Sequence, residues 1–156
     1  NEQMQTIGNN AQRLQNTLLE LIDEDTAAFN QLSEAFRMPK KTAAQEEARH
    51  IAIQNATKEA TLVPLRTLES TSELLEIATA AANSGNQNSL SDAGVAGLMA
   101  RACAWGAYYN VLINLADIED ASWQKKIKLE AEKIVQQTDK QAGDLQTSIK
   151  DKLTTS

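Results

Sequence analysis

The chain is poor in helix-breaking residues and in the residues that build disulfide, metal or redox chemistry. Its 156 residues include only 2 prolines, 6 glycines, 1 cysteine and 1 histidine. The lone cysteine, Cys103, excludes an internal disulfide and fits a reducing, cytoplasmic setting. His50 is the only imidazole, so no Cys/His cluster can form and no metal site is expected. Aromatics make up 4% of the chain and β-branched runs are short, which argues against a sheet. Positive charge is in deficit: 15 Lys and Arg stand against 21 Asp and Glu, for a net charge of -6 and a pI of about 4.8. Nucleic acids and anionic membrane surfaces both need a cationic face, so neither is an expected partner. A small anionic ligand is not excluded, because a local basic pocket can sit on an acidic protein. No apolar run is long enough for a transmembrane helix, and Asn1-Glu2-Gln3-Met4 carries no apolar signal core. There is no Gly-rich phosphate loop and no Ser/His/Asp spacing of a nucleophilic triad.

What is present favours helix. Ala, Leu, Glu, Gln, Lys and Ile dominate. The expected fold is one all-α domain over residues 1–156, a bundle of long, partly kinked antiparallel helices. A first helix over 3–36 follows from Ile7, Ala11, Leu14, Leu18 and Leu21 at steps of four and three, resumed by Phe29, Leu32 and Phe36. Met38-Pro39 ends it. Thr42 with Gln45 reads as a capping box for a second helix over 43–82, with Pro64 predicting a kink or break in its middle. The polar stretch 83–89 reads as a loop. Ser89 with Asp92 reads as a capping box for a third helix over 90–115. After a turn at 116–120, Asp117 or Asp120 would cap a last helix over 121–150, whose charge suggests an outer position.

Asp25 stands out because it continues the apolar stripe of the first helix. A carboxylate there needs partners, a raised pKa or a wet cavity beside it. It reads either as a general acid/base or as a surface acid past which the stripe drifts. In the third helix, Gly97 and Gly106 suit close approach of another helix. Asp92, Asn110 and Asn114 share one face, Asp92 lying about 27 Å from Asn110 by helix rise. They read as a lined cavity or as buried amides tying helices together. His50 reads as a surface or packing histidine, Cys103 as a small core residue, and Trp105, Tyr108 and Tyr109 as packing or subunit contacts. Lys40, Lys41, Arg49 and Arg66 flank the Pro39 turn and the second helix, as a cationic patch or as solvated surface charge.

Five segments in order resemble one family. They are Leu21–Phe29 with Asp23-Glu24-Asp25, Met38-Pro39-Lys40, Ala60–Leu65 with Val63-Pro64, Gly85–Asp92, and Gly106–Leu115 with Tyr108-Tyr109-Asn110. Order and spacing are similar to the cyclodeaminase domain of formiminotransferase-cyclodeaminase and its stand-alone bacterial relatives. The resemblance implies an all-helical domain that dimerises and holds folate in a cleft at or near the subunit interface. It implies a cyclodeaminase, converting 5-formimino-tetrahydrofolate to 5,10-methenyl-tetrahydrofolate and ammonia as in histidine degradation. The alternative enzyme is methenyl-tetrahydrofolate cyclohydrolase, which opens the methenyl bridge with water. Neither reaction needs a metal, or a cofactor beyond the tetrahydrofolate substrate. On this reading Asp25 is the general acid/base. Gly85, Asn86, Asn88, Ser91 and Asp92 orient the pterin or the one-carbon unit, Lys40 and Arg49 meet the glutamate tail, and Asn110 and Asn114 support from behind. Family members also carry a Pro-Gly-Gly-Gly-Ser-like segment upstream of where this sequence starts. Its absence, if a true loss, would remove part of the site. The alternative outside enzymology is a non-catalytic helical interaction module.

Overall fold

The structure is a computed structural model, described over residues 2–155. Asn1 and Ser156, the ends of the expected domain, lie outside the described residues. The helices are α1 (Glu2–Arg37), α2 (Ala43–Ser84), α3 (Leu90–Leu115) and α4 (Ala121–Thr154), with one 3-10 turn at Gln87–Ser89. There is no strand among the described residues, so the all-α expectation holds. No helix among them is long and apolar enough to cross a membrane.

Local chemistry sets the helix starts. The Thr42 hydroxyl accepts the Gln45 N–H at 3.3 Å, while Gln45 Oε1 accepts the Lys41 N–H at 3.0 Å. This is the expected capping box with its return bond displaced by one residue. Asp120 opens α4, its carboxylate accepting the Trp123 N–H at 3.0 Å. The box expected at Ser89 and Asp92 does not form. The Ser89 hydroxyl donates instead to the Asn86 carbonyl at 2.8 Å, within the 3-10 turn, and Asp92 is exposed.

α2 is the hub. It packs against α1 and α3, and α4 lies over α3 and α2. Near the α3–α4 turn the core joins Leu65 and Leu68 to Val111, Leu115, Ile127 and Val135. At the other end Leu75 and Leu90 meet Ala142, Leu145 and Ile149. A third, smaller cluster sets Leu21 and Ala28 of α1 against Val63. Leu68 and Val111 are fully buried, each such side chain contributing about 2 kcal/mol from area removed from water. Buried threonines bond backward along α2: Thr57 Oγ1 donates to the Ile53 carbonyl and Thr61 Oγ1 to the Thr57 carbonyl.

Several expectations are refined. α2 runs unbroken through the buried Pro64, so of the kink or break expected there the break is absent. The carbonyl of Ala60, deprived of its helical donor by the proline, is taken up by the side chain of Asn114. α4 keeps its charges outward and packs on α3 and α2 through a buried seam of Ile127, Ala131, Val135, Thr138, Ala142, Leu145 and Ile149. The buried seam of α1 is Leu14, Leu21, Ala28 and Ala35, not the stripe through Phe29 and Phe36. Those two phenylalanines are 67% and 54% exposed. A seam repeating every seven residues keeps one face toward α2, whereas two consecutive steps of four, from Leu21 through Asp25 to Phe29, carry the stripe onto the flank.

Candidate functional site

α1 and α3 lie on either side of α2, and between them opens a groove of about 470 Å³. α1 contributes Leu18, Ile22, Asp25 and Thr26. The α2 floor is Val63, Pro64 and Thr67, and α3 supplies Cys103, Gly106, Ala107 and Asn110. The groove is thus apolar below and carries polar groups from all three helices. Asp25 is exposed on the flank of α1 rather than buried in its stripe, and it lines the edge of this groove. Asn110 is likewise exposed rather than buried, and Asp92 with it. Of the three polar groups expected on one buried face, these two open to solvent, and Asn114 is half-buried with its amide tying α3 to α2.

Cys103 is exposed at the groove and not a core residue, and partial burial pushes its thiol up. It stays protonated near neutrality and is a poor nucleophile there. Among the described residues no group of His, Cys, Asp and Glu could hold a metal ion.

The structure brings together two of the sequence-predicted residues, Asp25 and Asn110. Asn114, one turn further along α3, has its amide engaged by the Ala60 carbonyl at 2.9 Å. Lys40 is exposed in the α1–α2 turn, and α1 runs about 18 Å by helix rise from Asp25 to its end at Arg37. Arg49 closes that end of α1: its Nε and Nη2 donate to the Phe36 carbonyl at 3.3 and 3.2 Å, and its guanidinium lies 5.8 Å from the Phe36 ring centroid. Arg66 pairs with Glu24, so the cationic patch is divided among local partners. His50 Nε2 lies 3.0 Å from Glu119 Oε2, beside the α3–α4 turn.

Gly85, Asn86, Asn88, Ser91 and Asp92 gather at the opposite end of the bundle, about 30 Å from Asn110 along α3. Gly85 has a structural reason to lack a side chain. A Cβ there would lie 2.6 Å from both the Ala81 carbonyl oxygen and Ser89 Oγ. Asn86, Asn88 and Ser91 are exposed.

Sequence reasoning missed Thr26, Thr67 and Cys103 as groove residues. The available signal was the spacing of Cys103, Gly106 and Asn110, one open face of α3. A second groove, of about 560 Å³, lies between α2 and α4 around Thr79, Gln141 and Ser148. Its α4 residues carry no expected site residue, and the buried Gln141 Oε1 beside it has no hydrogen-bond partner.

The family model described as formiminotransferase-cyclodeaminase matches residues 1–133. The chain belongs to this family. The formimidoyltransferase-cyclodeaminase of Mus musculus is 35% identical over 126 residues, covering 81% of this chain and 23% of that protein. The methenyltetrahydrofolate cyclohydrolase of Methylorubrum extorquens is 37% identical over 113 residues, covering 72% of this chain and 54% of that one. The chain therefore spans about a quarter to a half of these relatives. The crystal structure of formiminotetrahydrofolate cyclodeaminase from Thermotoga maritima superposes with a TM-score of 0.77 at 25% identity, over 91% of this chain and 67% of that one. The family match separates the two grooves. Every residue of the Asp25–Asn110 groove falls within it, whereas Gln141, Asp144, Leu145 and Ser148 of the other lie beyond residue 133.

Proposed function

We propose that this member of the formiminotransferase-cyclodeaminase family works on a one-carbon unit carried by tetrahydrofolate, as a cyclodeaminase, with the Asp25–Asn110 groove as the site. The observation carrying the proposal is the convergence of Asp25 and Asn110, from separate helices, on one groove inside the family-matched part of the chain. In 5-formimino-tetrahydrofolate, N10 attacks the formimino carbon as the bond from that carbon to its terminal nitrogen breaks. The Asp25 carboxylate takes the N10 proton and passes it to the departing nitrogen. A further proton from solution completes ammonia, and the product is the methenyl cation. The Asn110 amide offers donor and acceptor groups to hold the pterin, and the apolar floor keeps competing water away from the bridge.

The cyclohydrolase is the second reading, favoured by the name and 37% identity of the Methylorubrum relative. The same carboxylate would then activate the attacking water.

A homodimer is part of the proposal. Ile22, Phe29 and Phe36 on α1, with Met99 and Ile113 on α3, are each more than half exposed beside the groove. A second copy covering them would remove an apolar surface unusual on a monomer. Gly85, Asn86, Asn88, Ser91 and Asp92, if they touch substrate, do so from that second copy. Lys40 remains the candidate for the glutamate tail.

The test is to assay the purified chain with 5-formimino- and 5,10-methenyl-tetrahydrofolate while weighing it by light scattering. Ammonia release from the first by a dimer supports the cyclodeaminase, and bridge opening in the second alone supports the cyclohydrolase. Turnover of neither by an intact dimer sinks both and leaves the interaction module.

A further inference from the structure

An α-helix pairs the N–H of each residue with the carbonyl four residues earlier, so Pro64 leaves the Ala60 carbonyl without its helical donor. A partly buried carbonyl in that state needs another partner. Asn114 Nδ2 of α3 supplies it at 2.9 Å. The same proline forms part of the groove floor, and Asn110, one turn before Asn114, lines the groove wall facing α1.

We propose that Asn114 is a positioning residue, and that the carbonyl freed by Pro64 is the docking point that fixes the height of α3 on α2. The inference rests on the reading of the groove as the folate site. Beside the groove the α2–α3 seam is apolar, with Leu65 and Leu68 against Ala104, Ala107 and Val111; further polar ties, Gln54 Nε2 to the Asp117 carbonyl and the Glu119 N–H to Gln54 Oε1, both at 2.9 Å, reach the α3–α4 turn beyond the end of α3. Such a seam tolerates small axial displacements, because van der Waals contact is not directional. A hydrogen bond is directional, and a slide of one residue, about 1.5 Å, would break it. The bond therefore fixes the level of Asn110 over the α2 floor of the groove that Asp25 also lines. Leucine at position 114 keeps the volume but cannot donate. Alanine at position 64 returns the N–H that the Ala60 carbonyl lacks.

This predicts an asymmetric result in a four-protein comparison of wild type, Asn114→Leu, Pro64→Ala and the double variant. Asn114→Leu lowers Tm by about 5 °C. Assayed well below its Tm, it loses about tenfold in kcat, with a smaller change in KM. In the Pro64→Ala background the same substitution no longer lowers Tm, yet kcat still falls about tenfold relative to Pro64→Ala alone. The rate of Cys103 alkylation by a maleimide reads groove shape without catalysis, and Asn114→Leu shifts it several-fold in both backgrounds. A folded Asn114→Leu with wild-type kcat and alkylation rate overturns the proposal. So does recovery of both together with Tm in the double variant, since Asn114 would then only satisfy a carbonyl. If the wild type turns over neither folate, the proposed activity fails, and the Tm coupling and alkylation rates still decide this inference.

Discussion

α3 carries glycines on two faces. Toward α4, a Cβ on Gly97 would meet Leu145 Cδ2 at 2.8 Å and Gln146 Nε2 at 3.2 Å, and the Gly94 carbonyl accepts from Gln146 Nε2 at 2.7 Å. There the missing side chain lets two helices approach closely and exchange a hydrogen bond. Toward the groove, a Cβ on Gly106 would meet nothing within 4 Å. The closed face is finished within the chain. The open face keeps its apolar residues and its polar pair in reach of solvent. A small residue in a helix thus marks close packing only where a neighbour presses on it, and elsewhere it marks room.

The contrast can be broken most sharply at the open face. Asp25→Asn should lower kcat about 100-fold or more for the active folate, in line with loss of a general acid/base, while Tm holds steady. Undiminished turnover would remove Asp25 from the mechanism. At the closed face Gly97→Val should cost about 2 kcal/mol in chemical denaturation by forcing Leu145 and Gln146 aside, with kcat of the folded protein little changed. Gly106→Ala should act in the opposite direction, raising stability by about 0.5–1 kcal/mol, since alanine is the better helix former and its methyl has space. A loss of stability there would mean that the open face is already occupied, and sedimentation would show by what.

The smallest effect concerns the far edge of the closed face. Arg101 donates to Asp139 through Nε at 2.7 Å, and Trp105 Nε1 does so at 2.8 Å. These bonds hold the Asp139 carboxyl below the usual carboxylate range. Its contribution is complete above the ordinary aspartate value and is lost as pH falls through the lowered one. The Tm difference between wild type and Asp139→Asn should therefore shrink as the solution is acidified below that ordinary value. A difference constant with pH would contradict the assignment.

Helix class and most boundaries were legible because their determinants are local: the Thr42 and Asp120 caps, Met38-Pro39, and the polar stretch before Leu90. That the helix continues past Pro64 is not readable locally, because the compensation for the proline lies on another helix. A window around the proline shows the lost donor but not Asn114. The course of α1 past Asp25 was misread because phenylalanines at 29 and 36 are apolar whether they face a core or a groove rim. The buried seam of α4 was hard to see because its lysines and glutamates outnumber the alanines and threonine of that seam, although Ile127, Val135, Leu145 and Ile149 keep the helical spacing. Of the candidate site, Asp25 and Asn110 were visible as polar interruptions of apolar helices. That Gly85–Asp92 lies far from Asn110 was legible as well, since eighteen residues of helix separate Asp92 from Asn110 by about 27 Å.

α1 leans chiefly on α2, whereas α2, α3 and α4 all touch one another. The helix bearing Asp25 is thus the one the remaining three could release while keeping both larger clusters of their core. Its amides should exchange with deuterium before those of α2 and α3, and binding at the groove should slow that exchange by clamping α1 to α3. Occupancy and the integrity of the outermost helix would then rise and fall as a single quantity.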